Sequence, residues 1–289
     1  MSKSIKYERV PHIINRQMEL EKQFLKEFAE GCYTYNKPLV KLNAYGICPL
    51  TAMILFKTPV HCEVTVRILG KQQGGTIEHT FPGARKHILP VYGLYANYCN
   101  KVEIVLSTGE SSIIEIQTLP LPADVPEATC IETTVEHMRN NFMFLTAAMR
   151  AMPVAYDYAG DVRWYSTKNF AFDLKRLMNG HILVGSERLV KMPYFTSGLY
   201  EMAFSGKIFK EYRIPSGYHH DQIEMEDGNI LTLTFDYYSN TVEDVCVLID
   251  RQTGEIIKKW DFKDILPQYP IAGSGSQDEH DWFHNNSVW

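Results

Sequence analysis

Residues able to do chemistry collect at two places in this chain. One is His219-His220-Asp221, inside GYHHDQIEM. The other is EHDWFHNNSVW at 279–289, which holds His280, Asp281, His284, Asn285 and Asn286. Imidazole titrates near neutrality, so paired histidines can donate to an anion or exchange a proton at physiological pH. An asparagine amide adds a neutral donor. Together these groups suit chemistry on a charged ester, provided the fold brings the two runs together. A histidine at a strand start can equally be a hydrogen-bonded structural residue. If residues 219–220 are extended, successive side chains face opposite sides, so at most one of His219 and His220 lines a common site. His280 and His284 have the i, i+4 spacing that holds zinc on a helix, but HDWFH lacks the Glu of HExxH. The Gly/Ser residues before it read as a loop, so no metal is expected there.

Repetition in the surrounding elements argues that the two runs converge. AYDYAGDVRWYS (155–166), EMAFSGKIFKEYRI (201–214) and LIDRQTGEIIKKWDF (248–262) each read strand, Gly turn, strand, with Gly160, Gly206 and Gly254 spaced 46 and 48 apart. FDLKRLMNGHILVG (172–185) and HDQIEMEDGNILTL (220–233) supply a second hairpin each, their Asn-Gly and Asp-Gly turns 48 residues apart. Two hairpins per 40 to 50 residues is the sequence pattern of a four-stranded propeller blade. Aligning the units by their turns isolates one column: Phe172-Asp173, then His220-Asp221, then, after a longer insertion, His284-Asn285-Asn286-Ser287. In a propeller such equivalent positions face a shared central channel. Trp164, Trp260 and Trp282 recur with the repeat and read as core.

Ahead of the repeats, INRQMELEKQFLKEFAEG places Met18, Leu20, Phe24, Leu25 and Phe28 near helical spacing and ends on Gly31, predicting a helix over 15–30. From 38 to 118 short β-branched and aromatic runs alternate with turn residues, the pattern of a small antiparallel sandwich. TLPLPADVPEA, with Pro120, Pro122 and Pro126, reads as an extended linker. The expected organisation is a helical segment at 1–35, a β-sandwich at 36–122 and a partial β-propeller at 123–289, an all-β chain. The repeats provide about three blades, where closed propellers use roughly four to eight.

Composition narrows the function classes. Net charge is −5 and pI about 6.1, with no Lys/Arg cluster, so nucleic acid is not an expected partner. No stretch of the sequence as given reads as a signal peptide or approaches the roughly 18 apolar residues of a membrane span, and the expected location is the cytoplasm. Its six cysteines never fall in C-x-x-C or C-x-C spacing and are expected to be buried thiols.

With these residues in place, the sequence resembles the bacterial arylsulfate sulfotransferases, which move a sulfuryl group between phenols without a nucleotide cofactor. The resemblance rests on AYGICPLTAMILF (44–56), LPVYGLYANYCNKVEI (89–104), IPSGYHHDQIEMEDGNIL (214–231), VLIDRQTGEIIKKWDFKDILP (247–267) and DWFHNNSV (281–288). It implies an N-terminal β-sandwich and a six-bladed propeller, with His220 and His284 as catalytic residues and Asn286 as a substrate-binding residue. It also implies an aryl sulfate donor, a phenolic acceptor, a covalent sulfohistidine intermediate, no cofactor and a homodimer. The family's nucleophilic histidine, which lies in a later blade, and the arginine it places shortly after its DW-H-N motif have no counterpart here, so this sequence is expected to be the N-terminal part of a longer protein and inactive alone. Two competing readings are a non-enzymatic binding module and a metal-dependent propeller hydrolase using His220, His280, His284 and Asp281.

Overall fold

The computed structural model describes residues 12–72, 74–129, 131–133, 138, 141–146, 152–170, 172–191, 195–239, 241–266 and 282–289. Helix α1 spans Ile13–Glu30 and opens on His12, whose Nδ1 accepts from the Ile14 amide at 3.3 Å. It stops at Gly31, whose N–H returns to the Glu27 carbonyl. Its buried stripe is Ile13, Gln17, Phe24 and Phe28, a spacing of whole helical turns. Met18 and Leu20, expected on the apolar face, are exposed. Gln17 takes their place because its amide closes a polar gap: Nε2 donates to the Tyr45 and Gly206 carbonyls at 3.1 and 2.7 Å, and Oε1 accepts from the Ile208 amide at 2.8 Å.

Strands β1 (Leu39–Leu42), β2 (Ala52–Ile68), β3 (Ile77–Val91), β4 (Cys99–Leu106) and β5 (Ser111–Gln117) form one antiparallel sheet. Its centre is β2, paired along its length with β3, while its first residues pair with β1 and its last with β4. Register slips between Lys57 and Val64, where Pro59 has no N–H to give the ladder. Ile54, Phe56, Val64, Val66, Leu89, Val102, Ile104 and Ile116 are buried in a core that continues through Val125 of the proline segment into Val154, Tyr156 and Tyr165. The proline segment carries no strand over 118–129 and is pinned by Tyr156, whose hydroxyl donates to the Pro126 carbonyl at 2.6 Å.

The hairpins expected from the repeats are all present. Strands β6 (Met143–Leu145), β7 (Val154–Tyr156) and β8 (Val162–Tyr165) make a three-stranded sheet. In the next sheet β9 (Leu174–Arg176) pairs β10 (Ile182–Gly185), β10 pairs β12 (Phe195–Met202), and β12 pairs β13 (Ile208–Tyr218), with β11 (Leu189–Lys191) also against β12. The last is a four-stranded meander of β14 (Gln222–Glu224), β15 (Ile230–Thr234), β16 (Val245–Ile249) and β17 (Ile256–Asp261), followed by the short α2 (Phe262–Ile265). Every turn glycine of the repeat has positive φ, from 77° at Gly160 to 88° at Gly206, the left-handed region that glycine enters without steric cost.

Arg163 of β8 locks this region to the front sheet. It is fully buried; Nε donates to the Gly93 carbonyl at 2.8 Å and Nη1 to the Gly75 carbonyl, the Tyr95 hydroxyl and Asp157 Oδ2 at 3.1, 2.9 and 2.7 Å. Trp164 and Trp282 are buried as expected, and Trp260 is half-buried. Of the cysteines, Cys48, Cys62 and Cys246 are buried, but Cys32 and Cys99 are exposed. Cys32 follows the end of α1, and Cys99 begins β4 on the outward-facing side of its alternation; Cys130 lies outside the described residues. Among the described residues no helix is long and apolar enough to cross a membrane.

Candidate functional site

Between β13 and β14 the chain turns within three residues. The Asp221 amide donates to the His219 carbonyl at 2.8 Å, and His220 between them takes φ 57°. Left-handed backbone at a non-glycine residue is uncommon and costs free energy. The same conformation occurs at the other two members of the repeat column, Phe172 at φ 60° and His284 at φ 48°. The column is therefore a backbone device as well as a spacing, and each use of it places one ring in a common row. Phe172 and His220 have ring centroids 4.5 Å apart, and His220 and His284 6.3 Å apart.

The following residue also repeats its role. Asp173 Oδ1 accepts from the Leu174 amide at 2.8 Å and Asp221 Oδ1 from the Gln222 amide at 2.9 Å, each capping the next strand. Lys175 Nζ joins the two carboxylates, 2.6 Å from Asp173 and 3.2 Å from Asp221. Gln222 Nε2 donates to the Asp173 and Leu183 carbonyls at 3.1 and 3.2 Å, so neighbouring sheets are tied at the site.

The left-handed turn removes the premise of one sequence expectation. Strict alternation would send His219 and His220 to opposite faces, but the turn at His220 breaks it and brings their Nδ1 atoms to 3.0 Å. His219 is wholly buried and its Nε2 meets the Thr234 carbonyl at 2.9 Å. Burial holds its pKa down at about 3; the Thr234 carbonyl opposes this and His220 and His284 add to it. His219 is thus neutral at physiological pH.

Residues 282–289 lie across the same end of the β14–β17 sheet. Val288 N–H donates to Asp221 Oδ2 at 3.0 Å, Trp282 Nε1 to Asp244 Oδ2 at 3.0 Å, and Asn285 N–H to the Glu243 carbonyl at 3.2 Å. His284 Nδ1 is 3.1 Å from Glu243 Oε2. The structure therefore brings His220 and His284 together, while Asn286 is exposed two residues further on. His280 and Asp281 lie outside the described residues. A potential cation-binding set exists elsewhere in the cluster: donor atoms of His219, His220 and Glu243 lie within 4.8 Å of one another. Sequence reasoning passed over Glu243, whose one local mark is the acidic pair Glu243-Asp244 just before VCVLI; Phe172 and His219 were picked out, the first as a member of the repeat column and the second as the neighbour of His220.

A cavity of about 710 Å³ lies away from these histidines, walled by Phe81, Tyr92, Phe144, Trp164 and Phe204. Its charged and imidazole side chains, Glu78, His79 and Arg176, are exposed, so it offers apolar volume without gathered acid–base groups. The imidazole row is the better candidate for chemistry.

An all-β chain with imidazoles gathered at the end of successive antiparallel sheets defines a β-rich protein with a histidine-based site. A sequence profile described as Arylsulfotransferase (ASST) matches residues 127–289, and one described as Arylsulfotransferase Ig-like domain matches residues 39–122. The chain belongs to the arylsulfotransferase family, whose chemistry is aryl sulfotransfer. The Ig-like match fits the β-sandwich expected of the front region. Comparison with curated proteins gives no match.

Proposed function

We propose that this chain carries the sulfuryl-binding part of an arylsulfate sulfotransferase site, with His220 and His284 acting on the sulfuryl and phenolic oxygens and Asn286 as an additional donor. The observation that carries this reading is the convergence of the repeat column, which sets His220 and His284 6.3 Å apart beside the Phe172 ring. An aryl sulfate is an anion that generates a phenolate as its S–O bond breaks. Donors fixed in advance around that oxygen stabilise the developing charge without reorganising. Glu243 and Asp221 supply that fixing, since they bind the segment bearing His284 and Asn286. In this reading the β9–β13 and β14–β17 sheets are blades of a propeller and the column residues line its channel. Transfer runs through a sulfohistidine, which divides one hard step into two easier ones. None of the described residues is assigned that nucleophilic role.

The test is run on the full-length gene product, with 4-nitrophenyl sulfate as donor and a phenol as acceptor. Nitrophenol release is expected to depend on the acceptor, and His220→Ala and His284→Ala are each expected to lower the rate by about 10²-fold or more. Asn286→Ala is expected to lower it less. Undiminished turnover in both histidine variants would refute the assignment.

A further inference from the structure

We propose that His219 is a positioning residue: it accepts the Nδ1 proton of His220 and thereby confines proton exchange by His220 to Nε2. The consequence for turnover rests on the sulfuryl-transfer reading above; the tautomer itself does not.

The argument runs along a chain of three groups. A backbone carbonyl can only accept, so His219 Nε2, 2.9 Å from the Thr234 oxygen, carries a hydrogen. His219 is wholly buried, and burial disfavours its charged form. A neutral imidazole has one donor and one acceptor nitrogen, which makes His219 Nδ1 the acceptor. The partner at 3.0 Å, His220 Nδ1, must then be the donor. The downward pKa shift of His219 agrees with this geometry. Phe195 packs edge-on against the His219 ring at 5.5 Å and the Tyr218 hydroxyl donates to the His220 carbonyl at 3.2 Å, so neighbouring groups brace both residues. Among the described residues, Glu243, His284 and Tyr218 are further titratable groups beside His220, with Asp221 and Lys175 next along the site.

His220 accordingly keeps its Nδ1 hydrogen in both protonation states. Protonated, it donates from Nε2; neutral, it offers the Nε2 lone pair. As the nucleophilic imidazole of the sulfohistidine step bonds to sulfur, the aryl sulfate S–O bond breaks and its electron pair stays on the phenolic oxygen, which takes the Nε2 proton. When the acceptor phenol attacks sulfur, the S–N bond breaks, its electron pair returns to the nucleophilic imidazole, and the phenol's hydroxyl proton goes to Nε2 of His220. His219 gains and loses nothing over the cycle. A base whose second nitrogen is held by a fixed partner is the usual way an imidazole is kept in a productive tautomer.

The deciding measurement is a long-range ¹H–¹⁵N correlation spectrum of the whole chain with ¹⁵N-labelled histidine. It should show neutral His220 protonated at Nδ1 and bare at Nε2, and His219 protonated at Nε2. His219→Phe, which fills the space without an acceptor, should release His220 to the mixed tautomers of an unconstrained imidazole. His219→Asn, whose amide oxygen can stand where Nδ1 stood, should restore the Nδ1–H form. In the sulfuryl-transfer assay H219F should lose about 10²-fold in kcat with KM little changed, and H219N should recover most of it. An Nε2–H tautomer in the wild type, a His220 spectrum indifferent to H219F, or a stoichiometric divalent metal held between the two Nδ1 atoms would overturn the proposal. If H219F fails to fold, the wild-type spectrum alone decides. The expected tautomer in a full-length gene product that transfers no sulfuryl group would uphold His219's role and refute the proposed function.

Discussion

Replacing His220 by glycine should leave a more stable protein than replacing it by alanine, the reverse of the ordinary order. At a position with extended or helical backbone, alanine is favoured over glycine by about 0.4–1 kcal/mol because it restricts the unfolded chain. At φ 57° that preference meets the steric cost of left-handed backbone, about 1–2 kcal/mol for any residue with a Cβ. The balance favours H220G over H220A by about 0.5–1 kcal/mol. Both variants lose the same interactions, the Phe172 ring at 4.5 Å and the His219 hydrogen bond at 3.0 Å. These losses cancel in the comparison, which therefore reads the backbone alone. Urea unfolding followed by circular dichroism resolves the difference: with a slope of about 3 kcal/mol/M, the H220G midpoint should lie about 0.2–0.3 M above that of H220A. Lys258, exposed in β17, serves as the control and should show alanine above glycine. Phe172→Gly and Phe172→Ala should follow the His220 order. An H220A midpoint at or above that of H220G would refute the left-handed turn and, with it, the argument that both histidine rings meet.

Arg163→Met should destabilise the protein by about 3–5 kcal/mol in thermal unfolding, because it strips a buried charge partner from Asp157; adding Asp157→Asn should cost much less than the sum of the two single changes. Burial pushes the Glu201 carboxyl up, yet hydrogen bonds from Arg251, His181, Tyr212 and Asn179 outweigh it and hold the pKa at about 2. Glu201 therefore contributes stability above its unfolded value of 4.5 that is lost as pH falls toward 2, and Glu201→Gln should cost roughly 2 kcal/mol at pH 7 and flatten that acid limb. Gln17→Ala should destabilise by about 1–3 kcal/mol, because it leaves the buried Ile208 amide and Gly206 carbonyl without their partner, and hydrogen exchange should show α1 opening more readily.

Much of the strand order was legible because its punctuation is local. Asn-Gly at 179–180, Asp-Gly at 227–228 and the glycines at 160, 206 and 254 each encode a turn by themselves, so their spacing carried the repeat and isolated the column of Phe172, His220 and His284. What the spacing lacked was backbone conformation. Nothing in YHHDQ distinguishes a left-handed turn from an extended strand, and the extended assumption separated two imidazoles that in fact meet. The helix shows the same limit from the other side: apolar residues Met18 and Leu20 were the obvious core candidates, but the buried stripe passes through Gln17, whose partners lie 28 to 191 residues away. Glu243 was out of reach for a similar reason, because its value comes from His284 and Asn285, more than 40 residues further along the chain.

The arrangement also explains why strained backbone recurs where chemistry is proposed. A residue in ordinary strand geometry would face along the pleat, into a sheet interior already filled by Leu183, Leu199, Ile230 and Val247. A left-handed residue just before the first strand of a sheet leaves that alternation and turns its ring toward the neighbouring unit. The cost is about 1–2 kcal/mol at each use, and the Asp that follows helps offset it by capping the next strand amide, about 0.5–1.5 kcal/mol per bond. The side chain then packs against rings of the neighbouring unit, as Phe172 does against Tyr218 and His220. One unit can therefore place Phe172 there, as a wall, and the next His220, as an acid–base group, without disturbing either sheet. His219 completes the device: it is fixed by Thr234 of the next sheet's second strand, so the orientation of His220 is set by the meander behind it and not by the turn alone.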